Sequence, residues 1–264
     1  MNWAMLHNDN TQTLYCWFPG WSFQASVFEP LYRDIPATHL GINYPEKGEL
    51  IEFAQQSAQE LVQFIQINQS TTSFKNVIFI GWSLGGALAV HCAQAFQQLS
   101  DMPIALITLA TGERFLQEAG TSELKPSTPT ISAQGMEPKT FATFSASLEK
   151  FPTKTAKRFL GLCTQYADNA RELMRELANR QVSDEATLIH SLSWLNYQTL
   201  PALQAQQLHG YSEQDGFNPR QLSPAFYCDE KSHVFFLTEP GKNKVLQTLH
   251  QLEAQISGVA YDGD

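Results

Sequence analysis

Cysteine is scarce in this chain and nowhere paired in sequence. The four cysteines, at positions 16, 92, 163 and 228, are widely spaced and form no C-x-x-C, so neither a disulfide framework nor a paired-cysteine metal motif is indicated. Cys16 and Cys92 fall in apolar segments and are expected to be reduced, buried thiols, which suits a reducing compartment. Long apolar runs are also missing: none approaches the ~20 residues of a membrane span. The opening stretch MNWAMLHNDN has neither a basic flank nor an apolar core, so no secretory signal is expected and a cytoplasmic location is. Basic side chains are in deficit, 17 Lys and Arg against 26 Asp and Glu, for a net charge of −9. That argues against a general nucleic-acid surface. There is no internal repeat, low-complexity tract or metal-ligand spacing, and no cofactor is expected.

What is present is an alternation of elements. At 264 residues and 43% hydrophobic content, the chain can form one large α/β domain or a core with an inserted subdomain. Apolar β-formers at 13–18, 37–45, 76–80 and 103–110 read as strands. Helical spacing of Ile51, Phe53, Ala54, Leu61, Phe64 and Ile65 marks a helix over 50–67, and small residues at 87–94 mark another. Such alternation predicts a mostly parallel sheet with helices on both faces. From 113 to 138 the chain is rich in Pro, Ser, Thr and Gly and reads as loop; 139–198 reads as helical throughout. Two strands, within 202–210 and 224–228, and an amphipathic helix over 242–256 follow. The expected division is a core at 1–112, a helical lid at 113–200, and the rest of the core at 201–264. An insertion of this kind sits over the carboxyl edge of the sheet, where open α/β sheets bind ligands.

One short stretch carries the chemistry. NVIFIGWSLGGALAVHCAQ, residues 76–94, sets Gly81-Trp82-Ser83-Leu84-Gly85 between a strand and a helix. A bare G-x-S-x-G arises by chance in roughly one chain in ten of this size. Here the flanking strand and helix are those a nucleophile elbow needs: a sharp turn that exposes the serine Oγ. Ser83 is therefore the expected nucleophile.

A serine hydroxyl needs a base within reach. In an elbow architecture the chain order is nucleophile, acid, histidine. His7 and His39 precede Ser83. His91 lies on the helix after the elbow, His190 and His250 lie on helices, and His209 closes a strand too early. His233, in the polar loop CDEKSHVFFLTEP, has the right place and is the expected base. The acid should lie in LHGYSEQDGFNP, where Asp215 heads a turn signal, Asp-Gly. Glu213 has an equally usable spacing, so Asp215 is preferred and Glu213 stays open. Two backbone N–H groups should hold the oxyanion: that of Leu84, after the nucleophile, and that of Trp21, in the early loop FPGWS, where Gly20 allows close approach.

With these residues in hand, the chain resembles the α/β-hydrolases, and among them the pimeloyl-acyl-carrier-protein methyl ester esterases of biotin synthesis (BioH type). GWSLGG at 81–86 is similar to that family's elbow, and Gly20-Trp21 to its oxyanion segment. HGYSEQDGFNP resembles its acid turn, with two extra residues, and KSHVFFLTEP its histidine loop. Phe144, Leu148, Lys154, Arg158 and Phe159 are similar in type and spacing to part of its lid. Pro19 stands where the family usually has histidine. The resemblance implies an α/β-hydrolase fold with an inserted helical lid, a serine carboxylesterase, and an acyl carrier protein bearing a pimeloyl methyl ester as partner, with no nucleic acid, no membrane and a monomeric chain.

A separate observation concerns charge. Residues 139–180 hold eight Lys or Arg and four acids, a positive excess in an acidic chain. Lys150, Lys154, Lys157 and Arg158 recur at three- to four-residue spacing and could share one helix face, either as a solvated surface or as a dock for an acidic carrier protein. Trp82, Phe144, Leu148 and Phe151 are candidates to line an acyl channel, core packing being the alternative. An acyl thioesterase, a broad small-ester hydrolase and a silent hydrolase-fold binding protein remain the rival functions.

Overall fold

A computed structural model describes residues 1–9, 11–117, 135–197 and 199–258. Residues 118–134, most of the loop expected over 113–138, lie outside the described residues, as does residue 198 of the expected lid.

Seven strands form one sheet: β1 (Trp3–His7), β2 (Thr13–Phe18), β3 (Thr38–Ile42), β4 (Asn76–Trp82), β5 (Ile104–Leu109), β6 (Gln206–Ser212) and β7 (Ala225–Cys228), in the order β1-β3-β2-β4-β5-β6-β7. All neighbours run parallel except β1, which is antiparallel to β3. Every residue of β2, β4 and β5 is buried, as expected of strands covered on both faces. The short α1 (Glu29–Tyr32), then α2 (Leu50–Asn68), α3 (Leu84–Gln97) and, last in the chain, α8 (Glu239–Ser257) complete this core. No helix among the described residues is long and apolar enough to cross a membrane.

β1 is a strand that sequence pattern misses. It is a five-residue edge strand, and of it only Trp3 is buried. Its partner β3, not a hydrophobic run of its own, defines it. The stripe of α2 also differs from expectation. Leu50, Phe53, Ala54, Ser57, Ala58, Leu61 and Ile65 face the core, whereas Ile51 is 55% exposed. A step of about 100° per residue puts Leu50, not Ile51, in phase with Phe53 and Ala54.

Among the described residues between β5 and β6 lie four α-helices: α4 (Pro138–Lys150), α5 (Pro152–Cys163), α6 (Ala170–Ala178) and α7 (Glu185–Ser193). They pack on one another, α5 touching α4, α6 and α7. Each is amphipathic. α5, for instance, buries Ala156, Phe159, Leu160 and Cys163, and burying Phe159 or Leu160 stabilises by roughly 1.5–3 kcal/mol each. Phe151, at φ −143° and ψ 64°, separates α4 from α5. Lys150 therefore ends one helix while Lys154, Lys157 and Arg158 stand on the next, and the four do not share one helix face. All four cysteines are free and buried.

Two buried histidines make the core sensitive to acid. His39 Nδ1 accepts from Trp17 Nε1, and its Nε2–H donates to Ile35 O, both at 2.9 Å. The indole can only donate and the carbonyl can only accept, so the pair fixes the neutral ring. His209, inside β6, sits with Nδ1 2.8 Å from Thr108 Oγ1. Burial lowers both to about 4. A folded-state pKa below the ordinary 6.5 means that the unfolded chain takes up protons first as pH falls. The stabilisation is complete above about pH 6.5 and is lost progressively down to about pH 4, by roughly 3 kcal/mol per histidine. Urea denaturation between pH 7 and pH 4 should therefore show a steep fall in midpoint within that window. A flat midpoint would contradict this placement of His39 and His209.

Candidate active site

Ser83 joins β4 to α3 with φ 54° and ψ −122°, a backbone state that costs a serine of order 1–3 kcal/mol. The surroundings hold it there. Ser83 N–H donates to Leu109 O at 2.8 Å, and Ser83 O accepts from Gly86 N at 3.0 Å and from Thr111 Oγ1 at 3.0 Å. Two glycines are required by contact: a Cβ on Gly81 would lie 2.5 Å from Gly85 O, and one on Gly85 would lie 2.1 Å from Phe18 O. The second contact presses the elbow against the end of β2, next to the loop that carries Trp21. Leu84 opens α3, where backbone N–H groups have no intrahelical partner and the helix end is electropositive.

The histidine loop closes on the same point. His233 Nδ1 lies 2.8 Å from Asp215 Oδ2, with the two side chains 2% and 6% exposed. Asp215 Oδ1 accepts from Phe217 N at 2.9 Å, which orients the carboxylate. A carboxylate facing Nδ1 keeps the proton on that nitrogen and leaves Nε2 to accept. His233 Nε2 is buried and has no hydrogen-bond partner among the described residues. Trp82, next to Ser83, donates from Nε1 to His233 O at 2.9 Å, and its ring centroid is 5.5 Å from the imidazole. The backbone N–H of His233 donates to Cys163 O at the end of α5.

Of the two carboxylates left open by the sequence, Asp215 is the one paired with His233. Glu213 is exposed and its backbone N–H bonds to Cys228 O and Glu230 O. The other histidines are elsewhere: His7 pairs with Asp9, His190 faces Gly48 O, His250 is exposed and His91 is half-buried on α3.

The inserted helices reach down to the elbow through aromatic contacts. Trp21 is fully buried; its Nε1 donates to Leu188 O of α7 at 2.9 Å. Phe159 and Phe144 meet its ring edge-on at 4.8 and 5.5 Å. Phe217 meets the His233 ring at 4.6 Å and Phe159 at 5.4 Å. Beside them is an apolar slot lined by residues including Phe115, Met136, Phe144, Phe159 and Phe217, with about 10 Å³ of free volume. Two roomier clefts, of about 630 and 580 Å³, are lined by neither Ser83 nor His233.

The acyl-channel candidates thus part company. Phe144 lines the slot. Leu148 is buried on the inner side of α4 without lining it, and Phe151 is 61% exposed. Trp82 lies under the imidazole, packed on Phe23 and Phe236 at 5.0 and 5.3 Å. Phe217 was not singled out from sequence; its place two residues after Asp215 was the available signal. Lys150, Lys154, Lys157 and Arg158 are all exposed. Among the described residues, no group of three or more His, Cys, Asp or Glu could hold a metal ion.

The family model described as a thioesterase domain matches residues 12–151, more than half of the chain. The chain belongs to the thioesterase-domain family. The matched segment runs from β2 to the end of α4 and contains Trp21 and Ser83; Asp215 and His233 lie beyond it. Among characterised relatives, the pimeloyl-[acyl-carrier protein] methyl ester esterase of Shewanella sp. (strain MR-7) is 26% identical over 78% of this chain and 74% of its own length. That of Vibrio cholerae is 24% identical over 83% of this chain and 87% of its own. Among solved structures, an esterase from Exiguobacterium antarcticum superposes with a TM-score of 0.70 at 16% identity, covering 94% of this chain and 93% of its own. MenH from S. aureus does so with a TM-score of 0.66 at 11% identity, covering 97% and 99%. The fold is that of the α/β-hydrolases.

Proposed function

We propose that the chain is a serine carboxylesterase that hydrolyses the methyl ester of a pimeloyl group carried on an acyl carrier protein, a step of biotin synthesis. The observation that carries the catalytic part is the buried His233–Asp215 pair, whose residue His233 is tied through its backbone carbonyl to the indole of Trp82, the neighbour of Ser83. Ser83 Oγ attacks the ester carbonyl and gives its proton to His233 Nε2. The oxygen becomes an oxyanion held by the Trp21 and Leu84 N–H groups. The tetrahedral species collapses, the C–O bond breaks, and His233 protonates the departing methanol. Water, deprotonated by His233, then clears the acyl-enzyme by the same route. Asp215 keeps the imidazole in the tautomer this needs and stabilises the imidazolium.

The substrate part rests on likeness to the methyl ester esterases over about four-fifths of the chain. The slot walled by Phe144 and Phe217 is apolar but has only about 10 Å³ free, so Phe144 and Phe217 must move apart to admit an acyl chain, and helices α4 to α7 act as a lid over the site. The second reading, an acyl thioesterase on the same triad, is favoured by the family match itself. Turnover of a pimeloyl-carrier methyl ester against an acyl-carrier thioester separates the two. Rescue of a biotin auxotroph lacking its methyl esterase is expected. Failure to rescue, with faster thioester cleavage, would move the function to the second reading. Labelling by a fluorophosphonate is expected in either case; a chain that is never labelled would be a binding protein.

Lys150, Lys154, Lys157 and Arg158, all exposed and close to the exposed Phe151 in sequence, fit an acidic carrier. Changing both Lys154 and Arg158 to Glu should spare hydrolysis of a small soluble ester. It should lower kcat/KM for a carrier-borne ester by about tenfold or more, because rim charges act on encounter. The gap from the native enzyme should narrow towards ~0.5 M salt, where the Debye length falls well below its ~10 Å at 0.1 M. Equal loss on both substrates would mean a damaged lid, and no loss on either would leave these side chains as a solvated face.

A further inference from the structure

The loop after β2 is held from outside itself. Ser22, next to Trp21, is a non-glycine residue at φ 69°, a left-handed state that an L side chain keeps only under constraint. The constraint comes from the connection between α6 and α7. Val182 N–H donates to Ser22 O at 2.8 Å, and Gln24 N–H donates to Arg180 O at 2.9 Å. Phe23 and Gln181 form an antiparallel bridge between these bonds. Gln181 Nε2 in turn donates to Ala156 O of α5 at 3.0 Å. Arg180 secures the far side. Its guanidinium pairs with Glu29 and Glu176, each at 3.1 Å, while only 16% of the side chain is exposed, and it also donates to Ser26 O.

Two exposed charges would contribute little. A planar fork shared among three acceptors at a mostly buried position instead fixes geometry. That geometry bears on the peptide plane between Gly20 and Trp21. The carbonyl of that same peptide, Gly20 O, accepts from Phe23 N at 3.1 Å, so the direction of the Trp21 N–H follows where Phe23 is held, and Phe23 is bridged to Gln181. An oxyanion donor works only when aimed, at 2.7–3.1 Å, where charge develops.

We propose that Arg180 is a positioning residue for the hydrolysis: by clamping residues 22–29 to the α6–α7 connection, it aims the Trp21 N–H at the oxyanion. It touches no reacting atom. The inference rests on the reading above in which that N–H is an oxyanion donor.

The test compares wild type, Arg180→Ala, Arg180→Lys and Glu29→Gln on a small soluble ester, with Ser83→Ala as blank. The affinity of each for a trifluoromethyl ketone, whose serine adduct carries an oxyanion, is measured alongside. Losing an oxyanion donor costs about 10²–10³ in kcat, and mis-aiming one should cost less. Arg180→Ala should lower kcat by about 10- to 100-fold with KM within about threefold. Its affinity for the ketone should fall by the same factor as kcat/KM. Arg180→Lys, which keeps the charge but not the fork, should regain part of both, and Glu29→Gln should move both the same way by less. If Arg180→Ala does not fold, Glu29→Gln carries the comparison. Unchanged kcat and ketone affinity, measured well below the melting temperature, would leave Arg180 a stabilising residue and overturn the proposal. A loss confined to KM would do the same. A wild type that turns over no ester, or one matched by Ser83→Ala, would instead sink the serine-esterase reading beneath it.

Discussion

Replacing Ser83 with alanine is expected to lower kcat for any ester by at least ~10⁴ and to abolish fluorophosphonate labelling. The fold should survive. Ser83 is held by its backbone, through Leu109 O, Gly86 N and the Thr111 hydroxyl, and alanine keeps all three bonds. The strained φ of 54° is as costly for alanine as for serine, so the melting temperature should move by no more than a few degrees. What goes is the hydroxyl that attacks the ester in the proposed mechanism. Rate and labelling should be measured with the circular dichroism of the same sample. A variant with native spectrum and more than a few per cent of activity would mean that another residue is the nucleophile.

The second large effect separates two carboxylates only two residues apart. Asp215→Asn should cost about 10⁴ in kcat. The asparagine Oδ1 can still accept from Phe217 N, so the loop keeps its shape. Its amide would then present N–H to His233 Nδ1, where the carboxylate now sits at 2.8 Å. The imidazole must then carry its proton on Nε2, the nitrogen that has to accept from serine. Glu213→Gln changes an exposed side chain that makes no bond to the imidazole and should keep activity within about threefold. Steady-state kinetics of the two variants on one ester decides the matter, and the reverse pattern would place the acid at Glu213.

The elbow was legible in the sequence because everything that makes it is local. A run of buried β-formers, a glycine on each side of the serine and a row of small helix-formers specify strand, turn and helix within twenty residues. The choice of His233 came from chain order alone, since an elbow leaves few places from which a base can return. Alternation of strand and helix read out the parallel sheet, and the block of helices between β5 and β6 followed from a change of periodicity.

Contacts between distant segments were not legible. The Asp-Gly turn signal favoured Asp215 and left Glu213 open; the end of β6 at Ser212 and the bond to Phe217 N turn Asp215 inward and leave Glu213 in solvent. Four basic residues at helical spacing looked like one face until Phe151 broke the helix between them. Trp82, open from sequence between a channel wall and core packing, is fully buried beside the imidazole, its indole bonded to a carbonyl 151 positions away. The clamp made by Arg180 gave no signal: besides the local Glu176, its partners Glu29 and Ser26 lie some 150 residues upstream. Periodicity and turn chemistry encode what a segment does with its own backbone, so the sequence by itself determined the sheet, the elbow and the order of the site residues. Which side chains meet is decided by how far-separated segments pack and satisfy one another's buried polar groups, and so the pairing of Asp215 with His233, the apolar slot and the clamp on the Trp21 loop came only with the tertiary structure.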